Sequence, residues 1–241
     1  MKILNTRYGN GASVVVRAIY ERHFEDTSHG FHPNRSCHTA LRDIKATFKG
    51  TRWFIEGDIK GFFDNIDHNI MIDILRERIS DERFLRLIRK FLNAGYMEKW
   101  TYNNTYSKTP QGGIISPILA NIYLDKFDKY IKEYADNFNR GRGRRLTQEY
   151  QRNRNQRNAL RWKLEAETDE NRQVELKSKI AEMRKKMLDI PATRDIDDAF
   201  RRLKYVRYAD DFLIGGIGSK EECEKIKADI TTFMSDKLKL D

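Results

Sequence analysis

Two adjacent acids, Asp210 and Asp211, are the residues of this sequence that point most clearly to a chemical function. They lie within an apolar segment over residues 203–216 whose pattern predicts a β-hairpin. Neighbouring carboxylates raise each other's pKa, although an aspartate pair standing alone is most often a turn feature. Asp58 is a third acid in the same setting, because it ends a buried strand predicted over residues 52–59. If the two strands are neighbours, three carboxylates meet at one sheet edge.

A carboxylate cluster of this kind indicates a divalent metal site, because cations offset the repulsion between the acids. Mg²⁺ is the natural candidate, since it takes few protein carboxylates and completes its shell with substrate phosphates. Two such ions about 4 Å apart stabilise both the attacking and the leaving oxygen of a phosphoryl transfer. The three acids therefore predict phosphoryl-transfer chemistry.

The strands that carry the three acids need helices packed against them. Capping residues and apolar residues at helical spacing predict several such helices. Four predicted helices cover residues 36–48, 68–79, 81–94 and 164–187. Another begins at Ser116-Pro117 with the serine as its cap, and a last one runs from Ser219 to about Lys237. Residues 98–109 predict a second hairpin that turns at Asn103-Asn104, whereas residues 1–20 show no clear pattern. Helices and strands mixed in this order predict an α+β domain with an antiparallel sheet.

The composition excludes several classes of protein. Hydrophobic residues make up 39% and charged residues 34% of the sequence, and no apolar run approaches the roughly 20 residues of a membrane span. The first residues carry no apolar signal region, and the two distant cysteines, Cys37 and Cys223, exclude a disulfide framework. We therefore expect a cytoplasmic protein with no membrane partner. The sequence leaves the oligomeric state unknown.

The net charge of +10 favours polyanionic partners, and most of it is local. Nine Lys or Arg and one acid lie between residues 140 and 163, so this basic window has a net charge of +8. A charge run is often a solvated face, but the scarcity of acids and the presence of Tyr150 and Trp162 favour nucleic acid. The candidate nucleic-acid-binding residues are Arg140, Arg142, Arg144, Arg145, Arg152, Arg154, Arg157, Arg161 and Lys163.

Four sequence blocks resemble one family of enzymes. Tyr208-Ala-Asp-Asp resembles the catalytic box of reverse transcriptases, and Asp58-Ile-Lys-Gly-Phe-Phe-Asp resembles their first metal-binding motif. Thr109-Pro-Gln-Gly-Gly-Ile-Ile-Ser-Pro is similar to the motif that lies between them. Ser28-His-Gly-Phe-His-Pro-Asn-Arg-Ser-Cys and the basic insertion before Tyr208 resemble the bacterial group II intron proteins. Four blocks in the family's order are far more specific than one short motif.

The resemblance implies the fingers and palm of a right-hand polymerase, with an antiparallel palm sheet packed on helices and a helical basic insertion. It implies that Asp58, Asp210, Asp211 and the backbone carbonyl of Ile59 hold two Mg²⁺ ions, with Mn²⁺ as a candidate substitute. The implied partners are an RNA template, intron RNA, a DNA primer and deoxynucleoside triphosphates, and the implied location is the bacterial cytoplasm.

The same resemblance assigns a nucleotide pocket. Phe63 matches the bulky residue that excludes a 2′-hydroxyl, although an aromatic there could equally be a core residue, as we expect of Phe62. Gln111 and Gly112 would line the pocket, and Arg35 would contact a template or phosphate unless it ties neighbouring segments together. His29, His32, Cys37 and His38 match no standard zinc spacing, so a structural or nucleic-acid-facing role is expected for them.

The resemblance also predicts how the chain divides. Residues 1–50 would belong to the fingers, 51–138 to palm and fingers, 139–200 to the basic helical insertion, and 201–241 to the catalytic hairpin and the helix after it. The family's basic fingers motif is absent from residues 1–20, and the chain ends before the expected thumb. We therefore expect a fragment with little or no polymerase activity by itself.

Two alternatives to an intron-encoded polymerase remain open. One is a non-catalytic module that binds intron RNA and assists splicing, which would have no use for three clustered acids. The other is a reverse transcriptase of a different bacterial branch, for example one that serves in defence.

Overall fold

The computed structural model describes residues 2–59, 62–93, 96–98, 101–103, 115–194 and 197–240. It divides into two compact units, which we call the core unit, Met1–Asn139 with Arg202–Asp241, and the insertion unit, Arg140–Arg201. The first long helix, α1 (Lys2–Tyr20), lies in a segment where the sequence shows no pattern. None of the helices among the described residues combines the length and the apolar character that crossing a bilayer requires.

The sheet of the core unit is antiparallel and has the strand order β1-β5-β4. Its strands are β1 (Trp53–Asp58), β4 (Arg202–Tyr208) and β5 (Asp211–Ile217), so the predicted hairpin over residues 203–216 is confirmed. The expectation that β1 is buried is wrong. Its residues alternate between half-buried and exposed, so one face lies towards solvent, and on that face Phe54 is 57% exposed.

Helices cover this sheet and supply most of the core. They are α2 (Cys37–Thr47), α3 (Phe62–Asn65), α4 (His68–Arg76), α5 (Glu82–Leu92), α6 (Ser116–Phe138) and α9 (Lys220–Phe233), which continues as a π-helical turn over Met234–Leu238. The predicted cap at Ser36 and the predicted capping box at Ser219 are both present, and Ser36 also forms a capping box, with Thr39. Helix α6 is the central element, because its side chains are buried along most of its length and it contacts β4, α1 and α4.

Two local predictions fail. The second hairpin consists of β2 (Tyr96–Glu98) and β3 (Thr101–Asn103), and Asn103 pairs with Tyr96 inside the ladder instead of forming the turn. Ser116 does not cap α6 from outside, because it is the first helical residue and Ile115 stands at the cap without a side-chain hydrogen bond. In both cases the favoured turn or cap residue has been drawn into the adjoining regular structure.

The insertion unit is built around two helices that pack against each other, α7 (Gln148–Ala166) and α8 (Glu170–Leu188). The helix predicted over residues 164–187 is interrupted, because Asp169 caps α8 and separates it from α7. The apolar stripe on α8 is confirmed as packing, since Leu176, Ile180 and Met183 are half-buried and Met187 is buried. At the entrance of the unit, Arg140 and Arg201 exchange two backbone hydrogen bonds of 3.1 and 3.0 Å.

Candidate active site

The register of the sheet brings the predicted acids to one edge. β1 and β5 pair antiparallel with Asp58 opposite Asp211, as expected if the two strands are neighbours. β4 and β5 pair with Tyr208 opposite Asp211, so only Ala209 and Asp210 form the turn between them. Asp58, Asp210 and Asp211 thus lie at the end of the sheet at which the hairpin turns, and we call this end the carboxylate edge.

The electrostatics of this edge show how closely the acids interact. Partial burial raises the pKa of Asp211, and the charges of Asp210, Asp58 and Glu56 raise it further. Glu56 was not selected from the sequence, although it lies two residues before Asp58 and therefore on the same face of β1. The period of two along a strand is the signal that identifies it.

This carboxylate edge suits a hard cation, but it is not a closed cage. In the part of the chain that the structure describes, no three His, Cys, Asp or Glu side chains are close enough together to hold an ion by themselves. The donor set nevertheless fits Mg²⁺, which uses one or two carboxylates and completes its octahedron with water and substrate phosphates.

The residues predicted to contact a nucleotide lie mostly outside the described part. Gln111 and Gly112 do so entirely, and for Phe63 the structure describes the backbone in α3 but not the side chain. Phe62 is a core residue, as expected, at 2% exposure and 6.2 Å from the ring of Tyr123. The backbone carbonyl of Ile59 accepts a hydrogen bond of 3.1 Å from the Phe62 N–H at the start of α3.

Arg35 is committed to the protein itself. Its Nη1 donates to the carbonyls of Glu25 and Ser28 at 2.7 and 2.6 Å, and its Nη2 donates to Asp26 Oδ1 at 3.1 Å. The geometry therefore favours the tying of neighbouring segments over a template contact. The guanidinium closes the loop that leads from Glu25 towards the carboxylate edge.

The histidines of the same loop are also bound by protein groups. His32 is buried between Glu21 Oε1 (2.8 Å from Nδ1) and Ser28 Oγ (3.0 Å from Nε2), whereas His29 Nδ1 lies 2.9 Å from Thr39 Oγ1. Burial lowers the pKa of both imidazoles. These contacts give both histidines a structural role, one of the two roles expected from their spacing.

A buried ion pair behind the carboxylate edge was missed from the sequence. Arg207, with no exposed surface, donates to both oxygens of the equally buried Asp128, at 2.8 Å from Nε and 2.6 Å from Nη2. Burial opposes the charge of Arg207, but the Asp128 carboxylate more than compensates and raises its pKa. The Tyr205 hydroxyl donates to Asp128 as well, at 2.6 Å. The available signal was a charged residue in the middle of the apolar run before Tyr208.

The insertion unit presents some of the predicted RNA-binding residues to solvent and uses others internally. The exposed ones are Arg140, Arg142, Arg145, Arg152, Arg161 and Lys163. Arg145 is tied to the carboxylate of Asp197 at 2.6 Å, and the pair lowers the pKa of that acid. Arg154 and Arg157 are half-buried, with Nε atoms that have no hydrogen-bond partner among the described residues. Trp162, in contrast, is 70% exposed.

Comparison with known proteins defines the class to which this fold and site belong. The family described as reverse transcriptase (RNA-dependent DNA polymerase) matches residues 3–147, which include Asp58. The chain therefore belongs to the reverse transcriptase family.

Within that family, its sequence is similar to intron-encoded proteins. It is 48% identical over 229 residues to the group II intron-encoded protein LtrA of Lactococcus lactis, covering 95% of this chain and 37% of that protein. It is 43% identical over 225 residues to an uncharacterized 91 kDa protein in the cob intron of Schizosaccharomyces pombe, covering 92% and 26%. It is also 31% identical over 245 residues to protein YkfC of Escherichia coli, covering 94% and 52%. The chain spans about a quarter to a half of the length of these relatives.

Proposed function

We propose that this chain is the catalytic part of an RNA-directed DNA polymerase encoded by a group II intron, with the fingers and palm of a right-hand polymerase. The observation that carries the proposal is the sheet register that sets Asp58 opposite Asp211, with Asp210 in the turn beside them. Family membership supports polymerase chemistry, and the resemblance to intron-encoded relatives supports the narrower assignment.

In this proposal the carboxylate edge holds two Mg²⁺ ions, for which Mn²⁺ is a candidate substitute. Asp58, Asp210 and Asp211 supply the charged ligands, and the second lone pair of the Ile59 carbonyl supplies a neutral one. When bound, the ions would stabilise the oxygens that attack and leave at the α-phosphate of the incoming deoxynucleotide. The contribution of the chain is to fix these donors on a rigid sheet edge.

Selection of the nucleotide rests with residues named from the resemblance. Phe63 follows Asp58 in the α3 segment, where a bulky ring would exclude a ribose 2′-hydroxyl, and Gln111 and Gly112 would line the pocket beside it. The basic face of the insertion unit would bind intron RNA through its phosphates. A purely RNA-binding module is the less favoured function, because nothing in RNA binding offsets the repulsion at the carboxylate edge.

The decisive experiment is Asp210→Asn in the natural full-length protein. An amide cannot replace the charge, so primer extension on an RNA template should fall by about a hundredfold or more, while RNA binding in a filter assay persists. Asp73→Asn, on the exposed face of α4, is the matched control and should leave extension unchanged. Near-normal extension by Asp210→Asn would show that the metals are held elsewhere.

A further inference from the structure

The turn that carries Asp210 has a backbone conformation that its own residues do not favour. Ala209 has a φ of +57°, in the left-handed region that is disfavoured for a residue with a Cβ atom. A conformation of this kind persists where the surroundings impose it. Two residues outside the turn, Arg207 and Gly30, contact Ala209 directly.

Arg207 fixes the turn by a hydrogen bond to its backbone. Its Nη1 donates to the carbonyl of Ala209 at 2.6 Å and to Asn121 Oδ1 at 3.2 Å, and its Nη2 donates to Ser28 Oγ at 2.8 Å. With the two bonds to Asp128 these contacts use all five N–H donors of the guanidinium. A rigid planar fork with every donor engaged has one orientation, so the carbonyl before Asp210 is fixed relative to α6.

Gly30 packs closely against the backbone of the turn. A Cβ added at Gly30 would lie 2.3 Å from the Ala209 nitrogen and 2.9 Å from its Cα, so only glycine allows this approach. Asn121, which accepts from Arg207, also donates to the Gly30 carbonyl at 2.8 Å. The backbone hydrogen bonds His29 N–H to Arg207 O (2.8 Å) and Arg207 N–H to Thr27 O fasten this loop along β4.

We propose that Arg207 and Gly30 are positioning residues that fix the turn Ala209-Asp210 against α6 and thereby set the spacing of the metal-binding carboxylates. This inference rests on the proposed function of Asp58, Asp210 and Asp211. It gives the loop at Ser28–Gly30 a role towards the metal site that is distinct from contact with nucleic acid.

The structure offers a control that separates positioning from stability. Tyr205 donates to Asp128, the same carboxylate that pairs with Arg207, but it makes no contact with the turn. Tyr205→Phe therefore weakens the buried network without releasing the Ala209 carbonyl. Arg207→Lys keeps a charge for Asp128 but loses the fork, and Gly30→Ala leaves Arg207 intact while forcing the turn to move.

The test measures Mn²⁺ binding by electron paramagnetic resonance in the full-length protein, with each variant's fold checked by circular dichroism. Asp210→Asn first defines the signal of the carboxylate edge. We expect Arg207→Lys and Gly30→Ala each to weaken Mn²⁺ binding at that edge by about tenfold, the lower end of the loss that usually follows when a group that orients metal ligands is removed. Tyr205→Phe should keep the wild-type affinity.

Each outcome decides a separate question. If Asp210→Asn changes nothing, the proposed function fails and the positioning role falls with it. If Asp210→Asn removes binding but folded Arg207→Lys and Gly30→Ala proteins bind like the wild type, only the positioning role is overturned. An equal loss in Tyr205→Phe would also overturn it, because general stability would then explain the effect. Should Arg207→Lys not fold, Gly30→Ala alone is decisive.

Discussion

Arg207 of the core unit and the exposed arginines on α7 of the insertion unit use the same side chain in opposite ways. In the core unit, Arg207 is fully buried and has every donor engaged, so its charge acts on the architecture of the carboxylate edge. In the insertion unit, Arg152 and Arg161 lie exposed on α7, a helix without a single buried residue among those described. The same side chain thus fixes geometry where water is excluded, and offers charge to a polyanion where water is present.

The largest effect is expected when the buried charge of Arg207 loses its partner. Asp128→Ala leaves Arg207 without its counterion, so we expect the core unit to lose about 3–5 kcal/mol of unfolding free energy. Hydrogen exchange of the β4 amides under increasing urea measures this loss. Glu182→Ala removes only the exposed partner of Lys186 on α8, so the protection of the α8 amides should change far less. Similar losses in the two variants would contradict the contrast between buried and exposed pairs.

The exposed cations provide a second test of the comparison, through the salt dependence of RNA binding. Replacing Arg152, Arg161 and Lys163 with Gln should reduce the slope of log K against log salt by roughly 2–3 units, because each phosphate contact contributes about 0.7–0.9. Filter binding across a salt series gives the slope. The charge-matched control replaces Arg42, Lys45 and Lys49, which are exposed on and just beyond α2 in the core unit. Equal slopes after both changes would show that the insertion unit has no special part in RNA binding.

The smallest expected difference between the units is their response to acid. Burial lowers the pKa of His29, His32 and His68, so these imidazoles take up protons more readily in the unfolded chain. The core unit should therefore lose stability progressively as the pH falls below about 6.5.

The insertion unit contains no histidine, and the pKa of Asp197 is lowered by Arg145, so its stabilising charge persists until well below pH 4. Hydrogen exchange of α8 and β4 at pH 7 and 5 should show loss of protection in β4 alone. Equal loss in both elements would contradict the histidine assignment.

The features that sequence predicted correctly are those written in short stretches of chain. The helix cap at Ser36 and the capping box at Ser219 depend on residues three apart, and the hairpin at Asp210 needs only two apolar runs and a turn. Asp58 and Asp211 are far apart in sequence, yet their pairing could be predicted because acids can bind a divalent cation together only when their strands are neighbours.

The features that sequence missed depend on distant partners. Arg207 pairs with Asp128, 79 positions earlier, and the residues next to either one do not predict this ion pair. Gly30 is indistinguishable from a turn glycine until Ala209 is seen against it. Of the predicted cationic residues, Arg35 pairs with Asp26 and Arg145 pairs with Asp197, and only the folded chain reveals these pairings.

The paired backbone hydrogen bonds of Arg140 and Arg201 have an evolutionary consequence. Asn139 and Leu203, just outside this pair, are themselves joined by a hydrogen bond of 2.7 Å from the Leu203 N–H to the Asn139 side chain. The polypeptide therefore leaves and re-enters the core unit at one point, as it would in a tight turn. Loop-closure entropy rises only slowly with loop length, so descendants could lengthen, shorten or exchange everything between these two arginines while β1, β4 and β5 keep their register.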